Sequence, residues 1–234
     1  MNLFYAEPGQ IRPPIIELIG SEADHALKVM RYRKGDEIHI TDGKGAHYTA
    51  VVSDSSKGRL VAEISHTQHE DKENSELIIL IGLIRKRDRM EFAVEKCVEL
   101  GANQIYIFRG DHSEKQKVRT DRIEATILSA MKQSLRFVKP GFKLFDSLAE
   151  AIADPSITGT LIVADETADQ ENEADPLNVT NEMNHILVVG PEGGFSEKER
   201  SLLKKAGAKT YSLGKKRLRT ETAAAIMVDR FRKS

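Results

Sequence analysis

The sequence of 234 residues contains one cysteine, Cys97, and no tryptophan, and aromatic residues make up only 6% of it. A single cysteine excludes an internal disulfide framework and argues against a thiolate metal site. The longest apolar runs, such as residues 77–84, fall well short of the roughly 20 residues that a membrane-spanning helix needs. The first four residues lack the basic start and apolar core of a secretory signal. We therefore expect a soluble cytoplasmic protein.

The net charge is also small, at −1, but the charges are unevenly distributed. Residues 84–143 contain 14 lysines and arginines against 8 acidic residues, and residues 185–234 contain 12 against 5. Between them, residues 144–184 contain 10 acidic residues and no Lys or Arg. Two basic segments can together attract a polyanion such as RNA, although solvated helix faces would give the same counts. Charge alone leaves both interpretations open.

The hydrophobic pattern changes at residues 66–75, a stretch without large apolar residues that we interpret as a linker. Alternating segments at 15–19, 37–41, 48–52 and 60–64 predict β-strands before it, and the Asp-Gly-Lys-Gly sequence at 42–45 predicts a hairpin turn. Residues 21–33 predict a helix, with Ser21 and Asp24 as a candidate capping box. Residues 1–70 are therefore predicted to form a small, mostly β, barrel-like domain.

After residue 70 the pattern alternates between strands and helices. Strands are predicted at 77–84, 104–108, 160–164, 185–189 and 209–213. Helices are predicted at 90–101, at 123–135, from a Ser196–Glu199 capping box to Gly207, and at 220–231. The polar and acidic stretch 167–184 predicts a surface loop or a short helix. This alternation is typical of an α/β domain with a mainly parallel sheet.

Two loops of this domain are candidate binding elements, because ligands of open α/β sheets bind beyond the carboxyl ends of the strands. The first is Gly-Pro-Glu-Gly-Gly at residues 190–194, and the second is Leu-Gly-Lys-Lys-Arg-Leu-Arg-Thr-Glu-Thr-Ala at residues 213–223. Neither matches a phosphate loop, and the carboxylate of Glu192 favours an uncharged or cationic ligand. Glycines allow a flat ring to lie against bare backbone, and we expect Gly193 to adopt a positive φ. A tight turn would need the same glycines, so the first loop alone does not distinguish a ligand-binding role from a purely structural one.

Taken together, the two loops resemble the SPOUT class of S-adenosylmethionine-dependent RNA methyltransferases. The chain is most similar to the RsmE family, which methylates N3 of a uridine in 16S ribosomal RNA. Three further motifs occur in the family's order: residues 24–36, Glu-Lys-Cys-Val-Glu-Leu-Gly at 95–101, and Gln133-Ser134 with Arg136 and Pro140. Two positions depart from the pattern. Residues 2–5 lack the usual arginine, and Arg217 stands where the family usually has an apolar residue.

The resemblance implies a PUA-like, RNA-binding β-barrel over residues 1–70 and a SPOUT-type knotted parallel-sheet methyltransferase domain over residues 71–234. It also implies a C-terminal trefoil knot, which general topology rules would argue against, and a homodimer. The implied partner is 16S ribosomal RNA or the small ribosomal subunit, with no membrane. The implied S-adenosyl-L-methionine site consists of Gly190, Pro191, Glu192, Gly193, Gly194, Leu213, Gly214, Leu218 and Thr222.

The resemblance favours an active-site role for Arg219 and Glu221, where the second loop becomes the last helix. Without it, Thr220 would be read as a helix cap and Glu221 as a partner of the helix dipole. Methylation at N3 requires loss of the N3 proton, so a cation can stabilise the anionic uracil and a carboxylate can accept the proton. The sequence does not identify the base.

Local cation density and the resemblance together predict RNA contacts at two basic clusters and one helix end. The residues are His25, Lys28, Arg31, Arg33, Arg85, Arg87, Arg89, Gln133 and Arg136, with His112 and Lys115 at the rim. The remaining histidines lack metal-ligand spacing, and no metal is expected. Two other functions stay open. The chain could be a SPOUT enzyme that modifies a ribose 2′-oxygen or another base, or a non-catalytic RNA-binding factor of ribosome assembly.

Overall fold

A computed structural model describes residues 1–70, 76–114, 117–165 and 184–232. The chain forms two compact units. The first unit contains Met1–Lys72 and Met131–Lys139, and the second contains Glu73–Ala130 and Pro140–Ser234. The predicted loop at 167–184, apart from Asn184, and the predicted rim residue Lys115 lie outside the described residues.

The first unit is built on a mixed sheet of six strands. The strands are β1 (Leu3–Tyr5), β2 (Ile11–Arg12), β3 (Ile15–Ile19), β4 (Glu37–Thr41), β5 (Ala46–Ser56) and β6 (Arg59–His69). Their order in the sheet is β1-β4-β5-β6-β3-β2, and only β1 and β4 pair in parallel. The four predicted strands and the hairpin turn are confirmed. The short strands β1 and β2 gave no periodic signal.

Two predictions for this unit are wrong. Residues 66–69 were expected to be linker, but they continue β6 and pair with residues 46–49 of β5. Backbone pairing therefore extends the strand despite its polar composition. The helix predicted at 21–33 is divided into α1 (Gly20–Asp24) and a π-helical turn, His25–Val29. The N-cap is Ile19 and has no side-chain hydrogen bond, so Ser21 and Asp24 form no capping box.

Residues 131–139 complete the first unit by binding to the β4–β5 hairpin. The backbone carbonyl of Phe137 accepts hydrogen bonds from Thr41 Oγ1 and from the backbone N–H of Gly45, both at 3.0 Å. The ring of Phe137 stacks on His47, with centroids 4.5 Å apart and planes inclined by 6°. Burial and the neighbouring His39 and His66 lower the pKa of His47, which favours the neutral ring in this stack.

The second unit is a parallel α/β domain. Its strands are β7 (Leu77–Gly82), β8 (Gln104–Phe108), β9 (Gly141–Phe145), β10 (Thr160–Ala164), β11 (His185–Val189) and β12 (Lys209–Tyr211). The helices that follow α1 are α2 (Arg87–Glu99), α3 (Thr120–Gln133), α4 (Leu148–Ala153), α5 (Glu197–Lys205) and α6 (Thr220–Phe231). The sequence predicted all of these except β9 and α4. The Ser196–Glu199 capping box at the start of α5 is confirmed.

The strand order β12-β10-β11-β7-β8-β9 places β11 directly beside β7, and all pairs are parallel. Every residue of β7 and β11 is buried, as expected for central strands of a sheet covered on both faces. Helix α6 packs on both of these strands and on α2. Cys97 is a fully buried residue of α2, and burial raises the pKa of its thiol. The cysteine therefore acts as a small apolar core residue.

The direction of the chain reverses at the β11–β7 pair, which makes this pair a topological switch point of the sheet. The chain builds β8 and β9 on one side of β7 and then returns to build β10, β11 and β12 on the other side. After the edge strand β12 it passes back to α6 over β7 and β11. The trefoil knot itself stays a prediction. No helix within the four described ranges is long and apolar enough to cross a membrane.

Replacing Thr41 by Val should loosen the 131–139 segment. Thr41 is fully buried, and its hydroxyl both donates to Phe137 O and accepts from the backbone N–H of Gly43. Loss of these bonds should cost about 1–2 kcal/mol, which corresponds to a roughly 5- to 30-fold larger population of the opened segment. Hydrogen exchange at the amides of Gly45 and Lys139 measures this opening, because both bond across the same contact.

The control is Thr67→Val, an exposed position on β6 where no change in the exchange of these amides is expected. Unchanged exchange in the Thr41 variant would contradict the proposed dependence of the segment on this hydroxyl.

Candidate functional site

A cavity of about 410 Å³ lies in the second unit at the carboxyl ends of β10 and β11. This is the side of the switch point where open α/β sheets bind ligands, and the volume is in the range of small-molecule sites. Five parts of the chain line it: Arg89 of α2, residues 164–165 at the end of β10, residues 189–195 without Gly193 at the end of β11, Arg200 of α5, and the loop after β12 with the start of α6. The lining residues are Arg89, Ala164, Asp165, Val189, Gly190, Pro191, Glu192, Gly194, Phe195, Arg200, Leu213, Gly214, Lys216, Arg217, Leu218, Arg219, Thr220 and Ala223.

Residues 190–194, here called the glycine loop, form one wall of the cavity. Gly194 has φ +71° and its backbone N–H donates to the carbonyl of Pro191 at 2.8 Å. The positive φ expected at Gly193 therefore occurs at Gly194 instead. Gly193 does not line the cavity. An added Cβ there would lie 2.7 Å from His112 Cβ, so the glycine is needed for close approach to the next loop rather than for ligand space.

The glycine loop is supported from behind by the ends of β7 and β8. An added Cβ at Gly82 would overlap the backbone nitrogen of Pro191 and lie 2.5 Å from its Cδ. An added Cβ at Gly110 would lie 2.8 Å from the Cγ of the same proline. The ring of Phe195 packs within about 3.1–3.3 Å of an added Cβ at Gly190. Only backbone without side chains fits these contacts, so the path of the loop is set by its neighbours.

A hydrogen-bonded network fixes the far end of the loop to residues 110–113. Glu199 is buried, with 5% exposure, and its two oxygens accept from the backbone N–H groups of Asp111 (3.1 Å) and Ser196 (2.8 Å). Ser196 Oγ donates to Asp111 Oδ2 at 2.6 Å. His112 Nδ1 lies 3.1 Å from the carbonyl oxygen of Gly193. The predicted rim residue His112 thus contacts the glycine loop.

The loop over residues 213–219, here called the basic loop, forms the opposite wall. Gly214 has φ +100°, and Lys216, Arg217 and Arg219 are exposed and line the cavity. Arg217, which departs from the family pattern, therefore adds a cation to the cavity and not a strained buried charge. Asp165 and Arg200 also line the cavity and form an ion pair with each other. The site thus presents both carboxylates and cations, as a zwitterionic ligand requires.

The first turn of α6 connects the two walls. Arg219 is the N-cap residue, and no carboxylate of the described residues lies within ion-pair distance of it. Thr220 does not cap the helix; its Oγ1 donates to the carbonyl of Gly190 at 3.0 Å. Thr222, expected in the cofactor site, is exposed and does not line the cavity. The helical period places Thr220 on the loop-facing side and Thr222 on the solvent side.

Arg89 and Glu221 come together beside the glycine loop. Arg89 Nη1 lies 3.1 Å from Glu192 Oε1, and Arg89 Nε lies 3.5 Å from Glu221 Oε1. The side chain of Glu221 is 8% exposed, and its Oε2 has no hydrogen-bond partner within the described parts of the chain. Glu192 also accepts from the backbone N–H of Arg85 at 3.3 Å. The charge of Glu192 is therefore already compensated by Arg89, which weakens the argument that this residue selects a cationic ligand.

The other candidate RNA-binding residues are placed on two units. Arg85 and Arg87 are exposed before and at the start of α2, where Arg85 pairs with Glu114 and Arg87 pairs with Asp88 and Glu91. In the first unit, His25, Lys28, Arg31, Arg33 and Gln133 are exposed and Arg136 is partly buried. His25, Lys28, Arg31 and Arg33, here called the basic edge, lie within nine residues of chain in the first unit, and Lys28 pairs with Asp24.

Several lining residues were not expected from the sequence. Ala164, Asp165, Phe195, Arg200 and Thr220 lie at strand ends or helix starts that reach the cavity only through the sheet order. The one signal that could have indicated Asp165 is its position directly after a predicted strand. No group of three or more metal-ligating side chains occurs in the part of the chain that the structure describes.

Comparison with known families gives two matches. Residues 71–232 match the family described as RNA methyltransferase domain, and residues 18–65 match the RNA methyltransferase PUA domain. The ribosomal RNA small subunit methyltransferase E of Mycobacterium bovis is 28% identical to this chain over 233 residues, which cover 96% of this chain and 88% of the relative.

Two solved structures share the fold over almost the whole chain. One is a ribosomal RNA small subunit methyltransferase E from Neisseria gonorrhoeae bound to S-adenosyl methionine, with a TM-score of 0.84, 29% identity and coverage of 97% of this chain and 95% of the other. The second, from Porphyromonas gingivalis, is described as a "probable rRNA-methyltransferase" and has a TM-score of 0.83, 32% identity and the same coverages.

The packing around Pro191 makes a testable prediction. Gly82→Ala should destabilise the protein by about 1–3 kcal/mol, the usual cost of overpacking, because the backbone of Pro191 and Gly190 cannot move without disturbing the buried end of β11. Calorimetric unfolding measures the effect. The matched control is Gly9→Ala, since an added Cβ at Gly9 meets nothing within 4 Å. Equal unfolding temperatures of the two variants would show that the glycine loop shifts to accommodate the added methyl group, and would contradict the prediction.

Proposed function

We propose that this chain, which belongs to the RsmE family of RNA methyltransferases, uses S-adenosyl-L-methionine to methylate N3 of a uridine in 16S ribosomal RNA. The observation that carries the proposal is the cavity beside the switch point, whose walls are the two loops that resemble those of the SPOUT class. The relative from Neisseria gonorrhoeae shares this fold and is bound to S-adenosyl methionine.

The cavity fits such a cofactor in charge and in shape. S-adenosylmethionine carries an ammonium, a carboxylate and a sulfonium together with a flat adenine ring. The cavity offers the cations of the basic loop, bare backbone at Gly190 and Gly194, and two carboxylates, of which Glu192 is paired with Arg89 and Asp165 with Arg200. We propose that Gly190, Pro191, Glu192 and Gly194 of the glycine loop, together with Leu213, Gly214 and Leu218 of the basic loop, hold it. The cofactor supplies an electrophilic methyl group on sulfur.

The remaining chemistry belongs to the chain. When the methyl carbon bonds to N3, its bond to sulfur breaks and the N3 proton has to leave, so negative charge develops on the uracil ring. We propose that Arg219, a cation at the cavity without a carboxylate partner among the described residues, stabilises that charge. Glu221 lies in the same helix turn, and its Oε2 has no partner in the described ranges. We propose that Glu221 accepts the proton that leaves N3.

The proposal also extends to the RNA contacts, the oligomeric state and the location of the protein. The basic edge of the first unit, with Gln133 and Arg136, and the cations Arg85 and Arg87 would contact RNA phosphates. We further propose that the protein acts as a homodimer in the cytoplasm on 16S ribosomal RNA or the small subunit.

Mass mapping of methylated nucleosides in 16S ribosomal RNA, from cells with and without this protein, tests the function. Loss of one N3-methyluridine in the deletion strain, with its return on complementation, is the expected result. Loss of a 2′-O-methyl group or another base methylation would instead indicate a different RNA methyltransferase. An unchanged methylation pattern, together with RNA binding but no affinity for S-adenosylmethionine, would indicate a non-catalytic assembly factor.

Arg219→Ala separates catalysis from binding. Removing one preorganised charge-stabilising group typically costs ~10²–10³ in rate, and the contribution exists mainly in the transition state. We therefore expect the single-turnover rate of methyl transfer to fall by about that factor, while the affinity for S-adenosylmethionine by calorimetry stays within a few-fold.

The control is Arg232→Ala, at the exposed opposite end of α6, where the arginine pairs only with Asp229 among the described residues. Its rate should match that of the wild type. Sedimentation checks that both variants keep the oligomeric state of the wild type. A well-folded Arg219 variant with the wild-type rate would remove Arg219 from the catalytic group.

A further inference from the structure

We propose that Arg89 is not an RNA contact but a positioning residue, which holds Glu221 and the first turn of α6 against the glycine loop. This inference rests on the proposed function. Its starting point is that three neighbouring arginines of one basic cluster have different surroundings. The side chains of Arg85 and Arg87 are 67% and 63% exposed, whereas that of Arg89 is 29% exposed.

The first step is the geometry of the guanidinium group. Two different nitrogens of Arg89 point to two carboxylates, Nη1 to Glu192 at 3.1 Å and Nε to Glu221 at 3.5 Å. The planar fork of arginine suits such a double contact, which a point charge such as lysine cannot make as well. Arg87 also has two carboxylates in range, Asp88 and Glu91, but both lie 3.6–3.8 Å from the same Nε and its side chain is exposed. Arg89 instead directs separate nitrogens at its two carboxylates from a mostly covered position, which leaves less of it accessible to a phosphate.

The second step is the free-energy cost of leaving the buried carboxylate of Glu221 without the cation that pairs with it. Its side chain is 8% exposed, and Arg89 is the one cation within ion-pair distance of it in the described part of the chain. A buried charge that loses its partner is strongly unfavourable. Glu221 therefore depends on Arg89 much more than the exposed Glu192 does, because Glu192 also accepts from the N–H of Arg85.

The third step is what this contact controls. The glycine loop has its own supports in Pro191, His112 and the Glu199 network. The first turn of α6 has two tethers to the loop: the Thr220–Gly190 hydrogen bond and the chain of ion pairs Glu221–Arg89–Glu192. Loss of Arg89 should thus disturb the position of Arg219 and Glu221 more than the cofactor wall.

The variant Arg89→Gln tests this role. At saturating cofactor and RNA, the single-turnover rate should fall roughly 10²-fold, the effect that a misplacement of about 1 Å can have on a reacting group. The affinity for S-adenosylmethionine should change only a few-fold. Arg89→Lys keeps a charge beside Glu221 and should recover part of the rate. The exposed Arg232→Gln serves as the control with normal activity.

RNA binding gives the opposite expectation if Arg89 contacts a phosphate. Loss of one phosphate contact would flatten the slope of log affinity against log salt by ~0.7–0.9 and leave the rate at saturating RNA unchanged. An unchanged slope with a reduced rate supports the positioning role. A flattened slope with a normal rate overturns it.

A double-mutant cycle with Glu221→Gln keeps the test decisive even if Arg89→Gln alone folds poorly, because the double variant buries no unpaired charge. If Arg89 acts through Glu221, the double variant should be no slower than Glu221→Gln alone. If the rate of the double variant falls by the product of the two single-variant factors, the two residues act independently, which would contradict the proposal. Wild-type protein without any methyl transfer to 16S ribosomal RNA would instead contradict the proposed function, so the two failures are distinguishable.

Discussion

The pairing of β7 with β11 is the constraint on which the rest of the second unit depends. These strands are separated by more than 100 residues of sequence, yet all five of their paired positions, from Leu77–His185 to Ile81–Val189, align in parallel. Both strands are buried over their whole length, so the pairing is stabilised by apolar burial on both faces. It brings the end of β7 against the start of the glycine loop, and this contact requires glycine at position 82 because Pro191 occupies the space of a side chain.

From that pairing follows a division between the two walls of the cavity. The glycine loop is held by backbone packing and by the buried carboxylate of Glu199, neither of which involves the basic loop. The polar contacts that tie the start of α6 to the glycine loop are one hydrogen bond from Thr220 and the ion pairs of Arg89, in addition to the packing of the helix on β7, β11 and α2. Backbone packing has few alternatives, whereas a single hydrogen bond and an ion pair each contribute only modestly to stability. The contacts that orient Arg219 toward the cavity are thus weaker than those that fix the glycine loop.

The sequence predicted the elements with local or periodic signals and missed those that depend on distant pairing. The capping box of Ser196 and Glu199 is complete within four residues and was predicted correctly. Residues 66–69 have a polar composition, and only their partners on β5 make them strand. Strand β9, with the sequence Gly-Phe-Lys-Leu-Phe, is not a continuous apolar run, and the six residues of α4 are too few for a clear helical period. In the cavity, the glycine loop and Arg219 were indicated by motifs, but Asp165, Arg200 and Thr220 reach it only through the strand order.

Arg89 shows most clearly why composition misassigns a charged residue. In sequence it belongs to a cluster of four cations, and a count of charges treats Arg85, Arg87 and Arg89 alike. In the helix, residue 89 lies next to Met90, which is buried against the core, and its side chain turns toward Glu192 and Glu221 from two other segments more than 100 residues away. Under the proposed function, the RNA contacts of the cluster are therefore assigned to the exposed arginines, Arg85 and Arg87. A cation becomes part of the site when carboxylates of other elements converge on it, and only the fold determines that convergence.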